Sequence, residues 1–291
     1  MALEQLETES FWRDLVPDLP VQATLDEQSS SLSPNEATRG KMLGILDREG
    51  YIQLPRSQDL EQMARLASLV TGIRATGLPP VFAFIFDEMW QPYQRLGPII
   101  DCVLRGSHAL MPNIWAWHVD PAKGEAGWVP HRDRRIVTMT EDQRPKAVTI
   151  WIPFTEATPM NGCMYVLPKH RDSRYGDPNA EGFECNLNDI RAVPASPGDS
   201  LIWTQELLHW GSRTSELTNA PRLSMSVEFQ RVDEPAFSDF VIQAEQHLTF
   251  EQKLALVGRG ISKYQHMHPT GVELTEAALR WRDWTPRVFG P

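Results

Sequence analysis

The chain has 291 residues and a formal net charge of −10, with 41% hydrophobic and 23% charged residues. That length buries a full core, and the composition is that of an ordinary soluble globular protein. The acidic balance argues against nucleic acid or an anionic membrane as the main partner, because the summed field repels both.

Taken in chain order, Met1-Ala2-Leu3-Glu4-Gln5 lacks the basic and apolar pattern of a secretory signal. The patch Ser29-Ser30-Ser31-Leu32-Ser33-Pro34 reads as a loop that ends in a helix start. Ser33 would be the N-cap, Pro34 the first helical position and Glu36 the third residue after the cap. Met42, Leu43, Ile45 and Leu46 then recur at helical spacing up to Gly50, a candidate C-cap. Residues 51–54 form a short strand candidate. Apolar residues at Leu60, Met63, Leu66, Leu69 and Val70 predict an amphipathic helix over 60–73, and a further helix is predicted over 93–104.

From about Leu110 short runs rich in Val, Ile, Trp and Thr alternate with Pro and Gly. Strands are predicted at 113–119, 128–133, 147–153, 164–167, 189–193, 200–203, 208–212 and 222–231. That many short strands at this spacing suggest a barrel or double-sheet jelly roll. Helical patterns return at 250–257 and 274–281. The expected architecture is one domain over 1–291, mainly β with flanking helices: a helical arm (1–109), a β core (110–232) and a helical tail (233–291).

The longest stretch without Asp, Glu, Lys or Arg runs from Gly106 to Val119. It is shorter than the ~20 apolar residues that a membrane helix needs. Cys102, Cys163 and Cys185 are sparse, odd in number and without CxxC spacing, so buried, reduced thiols and a cytoplasmic location are expected.

The chemistry-bearing residues are His131-Arg132-Asp133, His209 and Arg222. Side chains at i and i+2 of a strand share a face, so His131 and Asp133 can reach one ion while Arg132 points away. A distant His209 would complete the two-histidine, one-carboxylate set that suits Fe(II) and leaves open coordination positions. His118-Val119-Asp120 is a competing pair, weaker because Pro121 follows at once and Gly124 and Gly127 mark a turn before the next strand. Arg222 and Ser224 share a strand face, and a guanidinium with a hydroxyl suits a carboxylate. Trp115 and Trp117, alternate residues of one strand, are candidates for the wall of a substrate pocket, as are His118 and Arg213. Lys169, Arg171 and Arg174, with Arg134 and Arg135, read as a solvated basic loop. His266-Met267-His268 reads as surface, and Asn161 as a turn residue.

Several motifs in series carry a resemblance. Asn161-Gly162-Cys163-Met164-Tyr165-Val166-Leu167-Pro168-Lys169-His170 resembles the "NGC-x-x-V-x-P" signature of the phytanoyl-CoA dioxygenase family. Thr149-Ile150-Trp151 resembles its "T-x-W" strand, Gly198-Asp199 its "GD" turn, and His209-Trp210-Gly211-Ser212 its distal-ligand segment. The family's "P-G-S-H" is replaced by Pro168-Lys169-His170-Arg171, which breaks the transfer of substrate contacts from that loop. The resemblance implies a double-stranded β-helix (jelly roll, cupin-like) holding Fe(II) and 2-oxoglutarate and using O2. It assigns His131, Asp133 and His209 to iron, and Arg222, Ser224 and Thr149 to the co-substrate. The implied reaction is hydroxylation or desaturation of a small organic molecule by a monomer or homodimer, with release of succinate and CO2. Asp133 favours hydroxylation over halogenation, since halogenating relatives carry a small residue there. The alternatives are a cupin-like metal enzyme that does not use 2-oxoglutarate, and a non-catalytic β-helix ligand-binding protein.

Overall fold

Local capping chemistry decides where the first helices begin and stop. The computed structural model describes residues 2–21, 31–133, 136–177, 179, 185–244 and 246–290; Ser29, Ser30, Arg134 and Arg135 lie outside the described residues. After a short α1 (Glu9–Leu15), α2 spans Glu36–Glu49. Its N-cap is Asn35 and not Ser33: the Asn35 side chain accepts from the Thr38 N–H at 2.9 Å, satisfying one of the orphan donors of the first turn. Gly50 ends the helix at φ 79°, a left-handed conformation that a side chain disfavours, and the chain turns straight into β1 (Tyr51–Leu54). Asp59 caps α3 (Leu60–Ala75). Between α3 and the β core lies a fully buried 3-10 turn, Pro80–Ile85, which the periodicity does not announce. The helix predicted over 93–104 divides into α4 (Gln91–Arg95) and α5 (Gly97–Leu104). Pro98 is the physical reason, since it has no N–H to continue the ladder.

The remaining strands are β2 (His108–Val119), β3 (Ala147–Pro153), β4 (Met164–Leu167), β5 (Arg191–Val193), β6 (Ser200–Thr204), β7 (Leu208–Gly211), β8 (Arg222–Arg231) and β9 (Ile242–Gln243). They make a six-stranded sheet in the order β1-β6-β3-β8-β2-β9 and a three-stranded sheet in the order β5-β4-β7, with antiparallel pairing in both. This is the double-stranded β-helix. The arm is therefore not purely helical: it supplies β1, whose Tyr51 pairs with Trp203 and Leu54 with Ser200. The tail likewise supplies β9.

The segment 128–133 is not a ladder strand, contrary to the expectation from its composition. It touches β7 through backbone bonds from Gly211 N to Trp128 O and a reciprocal His131–His209 bridge. Pro130 lacks the N–H that a continuous ladder needs. The approach is close enough to require glycine on both sides, because a Cβ on Gly127 would lie 2.5 Å from the Gly211 Cα.

The tail holds α6 (Phe250–Tyr264), α7 (Val272–Arg282) and α8 (Thr285–Phe289). Helix α6 runs well past the predicted 257. Gly258 and Gly260, which look like terminators in sequence, are contact residues: added Cβ atoms would lie 2.6 Å from Ala278 O and 3.2 Å from Ile114 O. One hydrophobic cluster joins Leu6 and Trp12 of the arm, Ile150 and Val227 of the large sheet, and Trp281 of the tail. Within it Phe82 stacks on Trp12 at 5.3 Å and meets Trp281 edge-on at 5.8 Å, aromatic pairs that contribute roughly 0.5–1.5 kcal/mol each beyond their buried area. Among the described residues no helix is long and apolar enough to cross a membrane.

Candidate active site

The register of the large sheet assembles one wall of the site. Alternation puts Arg222, Ser224, Ser226 and Glu228 on one face of β8. Opposite them stand Trp117 against Ser224, Trp151 against Ser226 and Thr149 against Glu228. The other wall comes from β7 and the 128–133 segment. The enclosed cavity is lined by Trp117, Trp128, Thr149, Trp151 and Tyr264 among others, with His131, Asp133, His209 and Arg222 at its polar surface.

His131, Asp133 and His209 form a cluster whose ligand atoms all lie within 4.8 Å of one another. His131 Nε2 is 3.3 Å and His209 Nε2 3.6 Å from Asp133 Oδ1. His131 Nδ1 faces the Val129 carbonyl at 2.8 Å, and His209 Nδ1 faces the Leu207 carbonyl at 3.0 Å. A carbonyl only accepts, so each Nδ1 carries the proton and each Nε2 keeps a free lone pair. Asp133 Oδ2 accepts from Thr149 Oγ1 at 2.6 Å and Trp203 Nε1 at 2.8 Å, which turns Oδ1 toward the two imidazoles. Ligands held by such outer bonds are the arrangement that a resident divalent ion requires. The donor set fits Fe(II).

The electrostatics agree with that geometry. Burial alone would raise the Asp133 carboxyl, but the His209 charge, the His131 bond and charge, and the Thr149 hydroxyl hold it well below the usual carboxylate range. Burial pushes His209 down to about 4 against the pull of Asp133, so its imidazole is neutral at pH 7. At His131 burial also acts downward, but the Asp133 bond and charge outweigh it and raise the pKa. Arg132 does point away from the cluster, onto Asp172 at 2.7 Å.

Arg222 is the most unusual group in the cavity. It is 1% exposed, and among the described residues its side chain hydrogen-bonds only to Ser224 Oγ, at 3.4 Å. Its Nε is buried without a partner, and its guanidinium lies 5.7 Å from the Trp151 ring and 6.0 Å from the Trp117 ring. Burial pushes its pKa down to about 10, so it stays charged at neutral pH. A buried cation without a carboxylate costs several kcal/mol. An anionic ligand offsets that cost.

Other expected site residues divide. Trp117 lines the cavity of the His131–Asp133–His209 cluster. Trp115 and His118 line a separate cavity of about 470 Å³ on the far side of Trp117. The His118-x-Asp120 pair is thereby kept from the cluster, and Asp120 instead caps the turn that follows it, accepting from Ala122 N. Arg213 is exposed and does not line the cavity of the cluster. His268, expected at the surface, is half-buried: it stacks on Trp115 at 5.1 Å, and its Nε2 accepts from Trp128 Nε1 at 2.7 Å. Asn161 makes the expected turn bonds, accepting from Thr158 N and donating to Glu156 O and Ala220 O. Lys169 lies over the Tyr175 ring, and Arg171 faces Asp189 at 3.7 Å. Cys102 and Cys163 are buried as expected, and Cys185 is half-buried. Sequence reasoning missed Glu228, Tyr264, Lys263 and the bond by which Trp203 holds Asp133. All four residues stand on predicted or extended elements, but their direction depends on register and helix length.

Comparison with known proteins gives two findings. The family model of phytanoyl-CoA dioxygenase (PhyH) matches residues 87–220. Among solved structures, SnoN, described as a non-heme alpha ketoglutarate dependent epimerase from nogalamycin biosynthesis, is 15% identical with a TM-score of 0.55, covering 74% of this chain and 99% of its own. HygX from Streptomyces hygroscopicus, solved with nickel and 2-oxoglutarate, is 15% identical with a TM-score of 0.50, covering 67% and 88%. EctD from S. alaskensis, solved with 2-oxoglutarate and 5-hydroxyectoine, is 16% identical with a TM-score of 0.51, covering 76% and 87%. At these identities the structural likeness is one of fold. No curated protein matches the chain by sequence. The phytanoyl-CoA dioxygenase match takes in His131, Asp133 and His209, and the double-stranded β-helix is a fold shared with SnoN and EctD.

Proposed function

We propose that this enzyme hydroxylates a small organic molecule, with His131 Nε2, Asp133 Oδ1 and His209 Nε2 holding Fe(II) and with Arg222 and Ser224 receiving the distal carboxylate of 2-oxoglutarate. Arm, core and tail work as one oxygenase unit. The overall reaction is R–H + O2 + 2-oxoglutarate → R–OH + succinate + CO2, in which one oxygen atom enters each organic product. The iron supplies the site at which O2 is reduced by 2-oxoglutarate.

The chain's own residues do the rest. Thr149 and Trp203 fix the Asp133 carboxylate so that Oδ1 faces both imidazoles. The backbone carbonyls of Val129 and Leu207 fix the tautomers of His131 and His209. Trp117, Trp128 and Trp151 wall the cavity and exclude water. Low dielectric there strengthens pairing between Arg222 and an incoming carboxylate.

The single observation that carries this reading is Arg222, a fully buried guanidinium beside the cluster with no carboxylate partner among the described residues. The test is calorimetry of 2-oxoglutarate with Mn(II)-loaded protein, followed by turnover under 18O2 with Fe(II). Metal-dependent binding that disappears in Arg222→Met, with label in both succinate and the oxidised product, is the expected result. Absence of metal-dependent 2-oxoglutarate binding overturns the proposal, and label in succinate alone replaces hydroxylation with another oxidation.

A further inference from the structure

A second cavity, of about 400 Å³, opens beside the cluster and shares Asp133 and Glu228 with it. Its far wall belongs to the tail helices. Arg259 and Lys263 stand four residues apart and therefore on one face of α6, and both line it, as does Arg282 of α7.

The hydrogen-bonding capacity of this cavity is lopsided. Its most buried acceptor is already occupied: Glu228 Oε2 takes bonds from Asn113 Nδ2 at 2.8 Å and Gln205 Nε2 at 2.9 Å. Its other oxygen, Oε1, is 3.6 Å from Lys263 Nζ, close enough for charge attraction and too long for a good hydrogen bond. Lys263 thus keeps ammonium donors to spare. Burial alone would lower its pKa, but the Glu228 charge and the Tyr264 side chain beside it hold it above the usual lysine value. Arg259 donates from Nη1 to Asp239, whose side chain is 78% exposed, while its Nε is buried without a partner. Arg282 is paired to its exposed neighbour Asp283. A bound amine here would meet three cations, and of the acids that line the cavity Asp133 faces the histidine cluster, Asp239 is paired with Arg259 and Glu228 offers Oε1 alone. A bound oxyanion would meet free donors.

We infer that this cleft is the prime-substrate site and that it takes a small molecule bearing an oxyanion, a carboxylate or a phosphate ester, seated on Lys263 and Arg259 with its reacting carbon toward Asp133. The inference rests on the proposed oxygenase reading for the identity of the neighbouring metal. The acidic background of the protein makes the selectivity sharper, because away from this pocket the net field repels anions.

The test uses methylphosphonate and acetate as probes, with methylammonium as the opposite-charge control. The full-length protein is loaded with Mn(II) and saturated with 2-oxoglutarate, which occupies Arg222. Paramagnetic broadening of the probe resonance then reads proximity to the metal. Saturable broadening of at least one anion is expected, weakened tenfold or more in Lys263→Met, restored in Lys263→Arg and unchanged in Lys123→Met on a remote exposed turn. Arg259→Gln, which leaves Glu228 and its partners untouched, is expected to weaken the same probe and guards against a folding defect in Lys263→Met. Preference between the two anions distinguishes a phosphate from a carboxylate substrate. The inference is overturned if neither anion broadens, if Lys263→Met and Arg259→Gln both match the wild type, or if methylammonium broadens equally. Calorimetry of 2-oxoglutarate on the same samples separates this failure from failure of the oxygenase reading. In the metal-free chain the winning anion should still bind by calorimetry.

Discussion

Two cations of this protein are each 1% exposed, Arg222 in the cavity and Lys253 on α6, and they are buried for opposite ends. Lys253 is fully answered: its ammonium donates to the Val21 carbonyl at 2.6 Å and to the Asp87 carboxylate, tying the tail helix to the arm. Arg222 has Ser224 at 3.4 Å, two aromatic faces and, among the described residues, no acid. Burial lowers the pKa of both. The lesson is that burial alone does not distinguish a structural charge from a receptive one. The partner does.

The largest expected effect tests that contrast directly. Lys253→Met removes the ammonium that the Asp87 carboxylate and the Val21 carbonyl share and should destabilise the protein by about 3 kcal/mol, at the low end for a broken buried pair because Asp87 is 19% exposed. Urea denaturation measures it, and turnover per folded molecule should be retained. Arg222→Met should do the reverse. Apo stability should stay level or rise, since an uncompensated charge is removed, while the 2-oxoglutarate Kd weakens by about 10–100-fold for a lost charged hydrogen bond of ~1.5–3 kcal/mol. A stability loss in Arg222→Met comparable to that of Lys253→Met would break the comparison.

The next effect sharpens it with an anion. Asp133 is a buried carboxylate oriented by neutral donors, so Thr149→Val should weaken divalent-metal affinity by about 10–100-fold without loss of the fold. Competition with a chelating dye reads this, and an unchanged affinity would reduce Thr149 to a packing residue. The smallest effect concerns a neutral group. His268 is pushed down to about 4 mainly by burial, from an ordinary value of 6.5. Its folded pKa lies below its unfolded one, so the stability it supports is present above pH 6.5 and is lost as pH falls toward 4. His268→Leu should therefore reduce the slope of stability against pH across that window by up to one proton. An unaltered slope would place the acid sensitivity elsewhere.

How much of this was legible depended on whether a residue's role was local. The strands 147–153, 164–167 and 222–231 could be read to the residue, because Pro153, Pro168 and Pro221 each mark one end of a ladder. The cluster residues were legible because His-x-Asp and a distant His are type-and-spacing signals, and the structure brings all three together. The 128–133 segment misled, since Pro130 and the Gly127–Gly211 approach replace a ladder with isolated bridges. Trp203 as a holder of Asp133 needed the Thr149–Trp203 pairing, which no spacing reveals. Lys263 lies beyond the helix predicted over 250–257, and the contact that lets the helix run on, Gly258 against the backbone of α7, is twenty residues farther along (278 − 258).

Helix α6 gives that loss a wider meaning. Lys253 pins one end of it to the arm, and Lys263 stands ten residues on (263 − 253), about 15 Å along the axis. The residues of the histidine–aspartate cluster and the cations that face the second cavity thus sit on separately replaceable parts, β7 with the 128–133 segment for one and a docked tail for the other. Such a division lets a lineage, or an engineer, retarget the catalyst by rewriting one helix face while leaving its redox machinery unedited.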